Sequence, residues 1–483
     1  MKTLKYGFFI LVIFMIVPFN LLAQNKEIPV TTSSKEALKL FLDGRNKYEN
    51  IEFLAAIPFF EKAIQIDANF ALAYLYRAQS GGGNTIFRQN LDKAVALANK
   101  VSDGEKYMIL NVQASADGNG QKEKESREWL LKNFPSDKRV QLMAGYYYFN
   151  IGDNANALVY FTKAIELDKN FPLPYNIIGY CQSALNNYQE AEKAFQTYIK
   201  LIPNNGNPYD SYGELLLKMG KFDESIIQYK KAVEKDPVNF AGSLAGIGNN
   251  YIFKGDYETA RKYYQDYYDK APTAGDKLTA LFWKATSYVH EGKVENAIKT
   301  FDEYRALAEK ENRVTNAINS YTNQAWILIE TGNPTEGKKY LEKQNDLIGT
   351  AKLSEGDKEN YLTGSMMANI YFLTANGELD KALAESEKCK QKVESRKNPG
   401  EEMELNSVMG MLETQKGNYD KAIEYFSKTG TGGPMQWYYT AVAYDKKGDR
   451  QNALKLFEKI AKWNVNGLDL ALFRKRAMEE LKK

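Results

Sequence analysis

PLPYNIIGYCQSALNNYQEAEKAFQTYIKLIPNN, residues 172–205, is followed at once by GNPYDSYGELLLKMGKFDESIIQYKKAVEKDPVN, residues 206–239. Laid over each other at an offset of 34 residues, Gly179 falls on Gly213, Ala191 on Ser225, Phe195 on Tyr229 and Pro203 on Pro237. A recurrence at a fixed period marks a repeat architecture, in which no unit buries its apolar face alone but stacked neighbours do. The residue types have a mechanical reading. Small residues let two antiparallel helices cross closely, the ring fills the seam to the next unit, and the proline cannot continue a helix and so forces a turn.

Tyr209, Gly213, Ser225, Tyr229, Ala232 and Pro237 stand at the fourth, eighth, twentieth, twenty-fourth, twenty-seventh and thirty-second places of their segment. In that order of aromatic, small, small, aromatic, small and proline, the segments resemble tetratricopeptide repeats; Ser225 in place of alanine is the main departure. The resemblance implies an all-α, right-handed superhelical solenoid of helix–turn–helix units whose first helices line a concave surface, and a role in binding proteins or peptides.

Working outward, the pattern continues in both directions. Repeat one has Gly44, Ala56, Phe60 and Ala63, and repeat four has Gly145, Tyr148, Ala157, Phe161 and Ala164. Repeat seven has Gly248, Ala260, Tyr264 and Pro272, and repeat eight Ala285, Ala297 and Phe301. Repeats two and three are irregular. Between the helical patterns of repeat two lies SGGGNTIF, residues 80–87, read as a long flexible loop because the lysine that a phosphate-binding glycine loop needs is missing. Repeats nine, ten and eleven carry Ala325 and Gly337, Ala368 and Ala382, and Gly410 and Ala422, with extra charged and polar residues between units that predict longer helices or longer connections. Repeat twelve has Trp437, Ala441, Tyr444, Ala453 and Phe457. The domain reading is a repeat array over 37–277 (repeats one to seven), a longer-repeat array over 278–463 (repeats eight to twelve), and an amphipathic capping helix over 464–483.

The N-terminus reads differently. Lys2 and Lys5 precede an apolar run from Tyr6 to Val17, then Leu21-Leu22-Ala23. This is the layout of a secretory signal peptide over 1–23, and the run is short for a membrane span. Residues 24–36 are expected to be a polar, flexible leader. No cysteine follows Ala23 to accept a lipid. Removing Lys2 and Lys5 leaves 62 basic against 61 acidic residues, with the signs interspersed. A nucleic-acid binder usually carries a concentrated basic face, so that class is set aside. Export into a Gram-negative envelope, periplasmic or secreted, is the expected location, with docking to an outer-membrane assembly open.

Chemistry is sparse. His290 is the single histidine, and a lone histidine makes a poor metal site. Cys181 and Cys389 lie about six repeats apart and are read as unpaired thiols. No catalytic, metal or cofactor motif stands out, and the repeats leave no room for a catalytic domain, so the chain is read as no enzyme. The resemblance places Tyr146, Tyr180, Asn249, Phe282 and Trp326 on the inner face, and these five form the expected ligand groove. The leading functional reading is a non-catalytic scaffold holding an extended peptide or partner protein there; the alternative is a glycan-binding protein using the rings as platforms.

The exported protein should begin at Gln24, and intact-mass analysis of the native protein should show residues 1–23 removed; retained Met1 would refute cleavage.

Overall fold

The structure, a computed structural model, describes residues 27–483. The signal peptide expected over 1–23 and the first three residues of the leader lie outside the described residues. Among the described residues the secondary structure is 25 α-helices, one short 3-10 turn and no strand. The chain is a helical-repeat solenoid, and its described residues divide into two compact units, 27–187 and Tyr188–Lys483.

The first unit holds α1 (Lys35–Glu49), α2 (Phe53–Ile66), α3 (Ala71–Gln79), α4 (Gly83–Leu97), α5 (Asp103–Ala116), α6 (Gly120–Asn133), α7 (Lys138–Asn150), α8 (Asn154–Leu167) and α9 (Pro172–Ala184). Helix starts are set by side chains that accept the first free N–H groups. Ser102 and Glu105 form a reciprocal capping box on α5, and Asp137 caps α7. The core of a repeat is a ring seated on a glycine. At Gly145 an added Cβ would lie 2.6 Å from the ring of Phe161, which is fully buried.

Two expectations for this unit change. The glycine-rich stretch is a short turn: α4 begins at Gly83 and takes in Asn84 to Phe87. Gly81, Gly82 and Gly83, with φ between +81° and +106°, reverse the chain within three residues, a conformation that costs other residues dearly. The leader is docked rather than flexible. Ile28 N–H donates to Asp137 Oδ2 at 2.8 Å, Thr31 N–H to Glu105 Oε1 at 2.8 Å, and the Thr32 hydroxyl to Asp67 Oδ2 at 2.5 Å. The Ile28 side chain is buried with Leu130, Phe134 and Val140. The expectation of flexibility rested on polarity; it missed that buried carboxylates at the turns supply what the backbone donors of an extended strap need.

The second unit holds α10 (Tyr188–Leu201), α11 (Asn207–Lys218), α12 (Phe222–Lys235), α13 (Ser243–Phe253), α14 (Tyr257–Lys270), α15 (Ala274–Glu291), α16 (Val294–Lys310), α17 (Val314–Glu330), α18 (Pro334–Thr350), α19 (Glu355–Ala375), α20 (Leu379–Arg396), α21 (Pro399–Gln415), α22 (Tyr419–Ser427), α23 (Pro434–Lys447), α24 (Arg450–Ala461) and α25 (Leu468–Glu480). Tyr229 shows the seam in full. A Cβ at Gly213, in its own repeat, would lie 3.1 Å from the ring, and one at Gly246, in the next repeat, 2.5 Å. The Ser225 hydroxyl donates to the Gly213 carbonyl at 2.6 Å, so the serine that replaces alanine has a partner.

The extra residues of the later repeats lengthen the helices. From α15 to α21 the helices run 17 to 21 residues, against 11 to 14 from α10 to α14. The register of repeat ten also differs from expectation. Ala368 is half-buried, whereas Ile370 is fully buried and stands at the same interval before Ala382 as Gly213 before Ser225. Where repeats four and six set the rings of Phe161 and Tyr229, this one sets Ser386, also buried. Large and small have exchanged helices, which conserves volume in the crossing.

The last helix does more than shield α24. Residues of α25, with Leu470, Phe473 and Ala477 fully buried, share one apolar cluster with α15, α16, α23 and α24. Arg476 of α25 pairs with the buried carboxylate of Glu330 on α17, which also accepts the Tyr439 hydroxyl at 2.6 Å.

These contacts rank two substitutions. Replacing a helical glycine by alanine favours the helix by about 1 kcal/mol, while overpacking costs about 1–3 kcal/mol. Gly145→Ala, with its ring at 2.6 Å, should lower the urea midpoint of unfolding, and Gly213→Ala, at 3.1 Å, should leave it nearly unchanged. Equal effects in the two would contradict the seam described here.

Candidate ligand cavities on the first helices

In the first unit a cavity of about 590 Å³ opens between α1, α3, α5 and α7. Its wall carries Tyr48, Tyr76, Tyr146 and Tyr147, with Glu49 and Arg139 between them. Arg139 Nε donates to Glu49 Oε1 at 2.7 Å and Lys138 pairs with the same carboxylate at 3.0 Å. Burial works against the Arg139 charge, yet Glu49 holds its pKa above the ordinary value. Tyr146 is half-buried and edge-on to Phe161, with centroids 5.5 Å apart, and burial pushes its hydroxyl up to about 12. Tyr180, on α9, is half-buried as well.

In the second unit two cavities matter. The first, about 440 Å³, lies at α11 and α13 and is lined by Asp210, Glu214, Lys218, Asn239, Asn249, Trp283, Asn464 and Asn466 among others. The amide of Asn249 is not free here. Its Oδ1 accepts the Tyr264 hydroxyl at 2.8 Å and the Asn466 Nδ2–H at 2.8 Å. Asn466 in turn accepts from His290 Nε2 at 2.9 Å and from the Gly467 N–H at 3.0 Å. The stretch that leads into α25 therefore occupies part of the face expected to bind a ligand. Burial pushes the Asp210 carboxyl up to about 6, against the pull of the Ser243 hydroxyl. Phe282 does not stand open either: it packs edge-on against Phe301, at 6.1 Å, beside the cluster that α25 completes.

The other cavity, about 570 Å³, lies between α17, α19 and α21, with Gln344 of α18 and Gln436 of α23 at its sides. Trp326, Ile329, Leu341, Met367, Val408 and Met411 make it largely apolar. Three buried polar atoms in its lining residues have no hydrogen-bond partner among the described residues: Gln344 Oε1, the Tyr371 hydroxyl and Ser407 Oγ. Such atoms normally find partners, and one left without costs about 1–3 kcal/mol. Their types are complementary to an amide group, one acceptor and two hydroxyls that can donate. Trp326 is half-buried and packs against two apolar clusters while lining the cavity, so its ring is structural as well as available. At the mouth stands Glu404, exposed and without an ion pair; burial of its surroundings and the nearby Glu401 charge push its carboxyl above the ordinary range.

Of the five residues expected in one groove, the structure assigns Tyr146, Asn249 and Trp326 to three different cavities and puts Phe282 against the core. The residues that sequence reasoning missed are Gln344, Tyr371 and Ser407. Tyr371 was visible only as a repeat aromatic, and the other two had no pattern to mark them. Both cysteines are buried and free, with Cys181 pushed up to about 12 and Cys389 to about 11 by burial. Among the described residues no group of three or more His, Cys, Asp or Glu could hold a metal ion, and no helix is long and apolar enough to cross a membrane.

Comparison with known proteins agrees with the repeat reading. Tetratricopeptide repeat models match residues 139–171, 174–205, 207–239 and 318–350, residues 246–312, and residues 437–462. A TPR repeat-containing protein of Methanocaldococcus jannaschii is 25% identical over 327 residues, covering 65% of this chain and 54% of that protein. Anaphase-promoting complex subunit 3 of Schizosaccharomyces pombe is 27% identical over 163 residues, 34% of this chain and 24% of that protein. The chain thus spans about half, or less, of the length of these curated relatives. A solved tetratricopeptide repeat protein from Parabacteroides merdae, 13% identical, covers 63% of this chain and 98% of its own with a TM-score of 0.38. Together the model matches and the relatives support the tetratricopeptide repeat family for this chain.

The asparagine chain makes a pH prediction. Burial, with the Arg474 charge adding, lowers the His290 pKa from 6.5 to about 4, against the hydrogen bond to Asn466. A histidine with a depressed folded pKa binds fewer protons folded than unfolded. Its contribution is therefore complete above pH 6.5 and is lost as pH falls toward 4, by about 3 kcal/mol at most. Asp210, with its raised pKa, works the other way over the same range, so the prediction is a difference: between pH 7.5 and pH 5 the native protein should lose more urea midpoint, or gain less, than His290→Gln. An unchanged slope in the variant would show that His290 makes no such contribution.

Proposed function

We propose that this tetratricopeptide-repeat chain is a non-catalytic protein-interaction scaffold of a Gram-negative cell envelope, exported by its N-terminal signal, that holds an extended segment of a partner protein against the first helices of its repeats. Proteins of this repeat family are protein-interaction scaffolds. The observation that carries the reading is the cavity between α17, α19 and α21. It is apolar enough to take side chains, and just under its surface Gln344, Tyr371 and Ser407 hold one acceptor and two hydroxyls without partners among the described residues, which reach a peptide bond when those side chains turn toward it. The docked leader supports it from within the chain. There an extended segment is already gripped through its backbone N–H groups, with Ile28 as a buried anchor.

The glycan reading ranks second. A sugar stacks on an open ring face, and Phe282 and Trp326 are committed in part to the interior. The cavity with Trp283, Asp210, Asn239 and Asn249 is the place it would use.

The test turns on atoms without partners. Tyr371→Phe and Ser407→Ala each delete a buried hydroxyl that has nothing to bond to. Stability should stay level or rise by about 1 kcal/mol. Capture of envelope proteins on immobilised protein, followed by mass spectrometry, should weaken severalfold in both variants for the same partner. Undiminished capture in both variants would move the binding face elsewhere and defeat this reading.

A further inference from the structure

The cavity between α17, α19 and α21 has one charged residue in its lining, Glu404. The two cations of α20 that reach Glu359 and the cavity's Asn360 are already engaged. Lys392 pairs with Glu359 at 2.9 Å, and Arg396 pairs with Glu401 at 2.9 Å and also bonds Asn360. Glu404 has no ion-pair partner among the described residues. An unpaired carboxylate at the rim of an apolar cavity repels an acidic ligand and attracts a basic one, and such rim charges set specificity more than affinity.

Spacing narrows the ligand further. Glu404 precedes Ser407 by one turn of α21 and Met411 by two, and one turn is about 5.4 Å. In an extended peptide, side chains two residues apart share a face and stand roughly 6.5–7 Å apart. Val408, which also lines the cavity, follows Glu404 by four residues, about 6 Å along α21, so an apolar side chain lowered beside Val408 brings the side chain two residues along to the level of Glu404.

We infer that this cavity is a specificity pocket for a partner segment in which an apolar residue is followed, two positions on, by lysine or arginine. The inference rests on the peptide-groove reading above and adds the sign and spacing of the charge that the groove selects. It also excludes acidic C-terminal tails as ligands of this face.

The experiment uses the full mature chain and four twelve-residue peptides, identical except at the centre: Leu-Ser-Lys, Leu-Ser-Glu, Ser-Ser-Lys and Leu-Lys-Ser. Dissociation constants come from calorimetry and from the change in tryptophan fluorescence, and circular dichroism confirms that each variant is folded. The Leu-Ser-Lys peptide should bind about five- to tenfold more tightly than each of the others. Glu404→Gln should bring the Leu-Ser-Lys to Leu-Ser-Glu ratio close to one and leave the preference for leucine over serine in place. Raising the salt should shrink the ratio in the native protein and leave the variant unmoved. Equal binding of the Lys and Glu peptides by native protein, or a ratio that survives Glu404→Gln, overturns the inference. If the leucine peptides bind through Tyr371 regardless of charge, the groove reading stands and the charge selection falls. If none of the four binds folded protein, both fall together.

Discussion

An aromatic ring resting on a helix backbone is the contact on which this architecture depends. Phe161 on Gly145, Tyr229 on Gly213 and Phe426 on Gly410 repeat the same arrangement, and Tyr229 reaches Gly246 of the following repeat as well. The glycine carries no side chain so that the ring can approach, and the ring then spans the crossing within one repeat and the seam to the next. That single contact joins sequence period to stacking. It also explains why the glycines persist inside helices, where each costs about 1 kcal/mol in helix propensity. Burying a whole ring at such a seam offsets that loss several times over.

The period was legible for the same reason. A small residue and an aromatic recur at a fixed interval in most of the repeats, while repeats two and three are irregular, and the helix–turn–helix series they mark is what the described residues form. Failures of the reading follow where another physical solution replaces the contact. In repeat ten Ile370 and Ser386 exchange the roles of ring and glycine, so a search for a small residue settled on Ala368 two positions early. In repeat two the turn is made by three consecutive glycines of positive φ, and their flexibility in isolation suggested a long loop rather than a tight one. Ile51 is the reverse case: a β-branched residue held at φ +64° where most repeats place glycine, with its side chain packed near Phe171. Local propensity argues against it, and tertiary packing prevails.

The binding surface was less legible than the frame. Inner-face positions can be counted from the period, but exposure depends on what covers them, and the cover comes from distant residues. Asn249 stands at an inner-face position of its repeat, but its amide oxygen is taken by the buried Tyr264 of that repeat and by Asn466, far along the chain. Phe282 looked like a platform until α25 completed a core around its neighbours. The residues that now define the best cavity lack a pattern for a related reason. Gln344, Tyr371 and Ser407 come from three helices, and only their shared lack of partners links them. A deficit of that kind exists in three dimensions and has no trace in one.

The long reach of α25 bears on how the chain acquires its shape during synthesis. A pure stack of repeats needs only its neighbours, so each unit can settle as it leaves the ribosome. Here the apolar face of α15 waits for a helix that emerges after every other element it touches. For the time needed to make the intervening residues, that face stays uncovered, and transiently exposed apolar surface is where misassembly begins. The second unit is therefore obliged to finish from its far end, and any truncation that removes α25 leaves exposed an interior built to be closed.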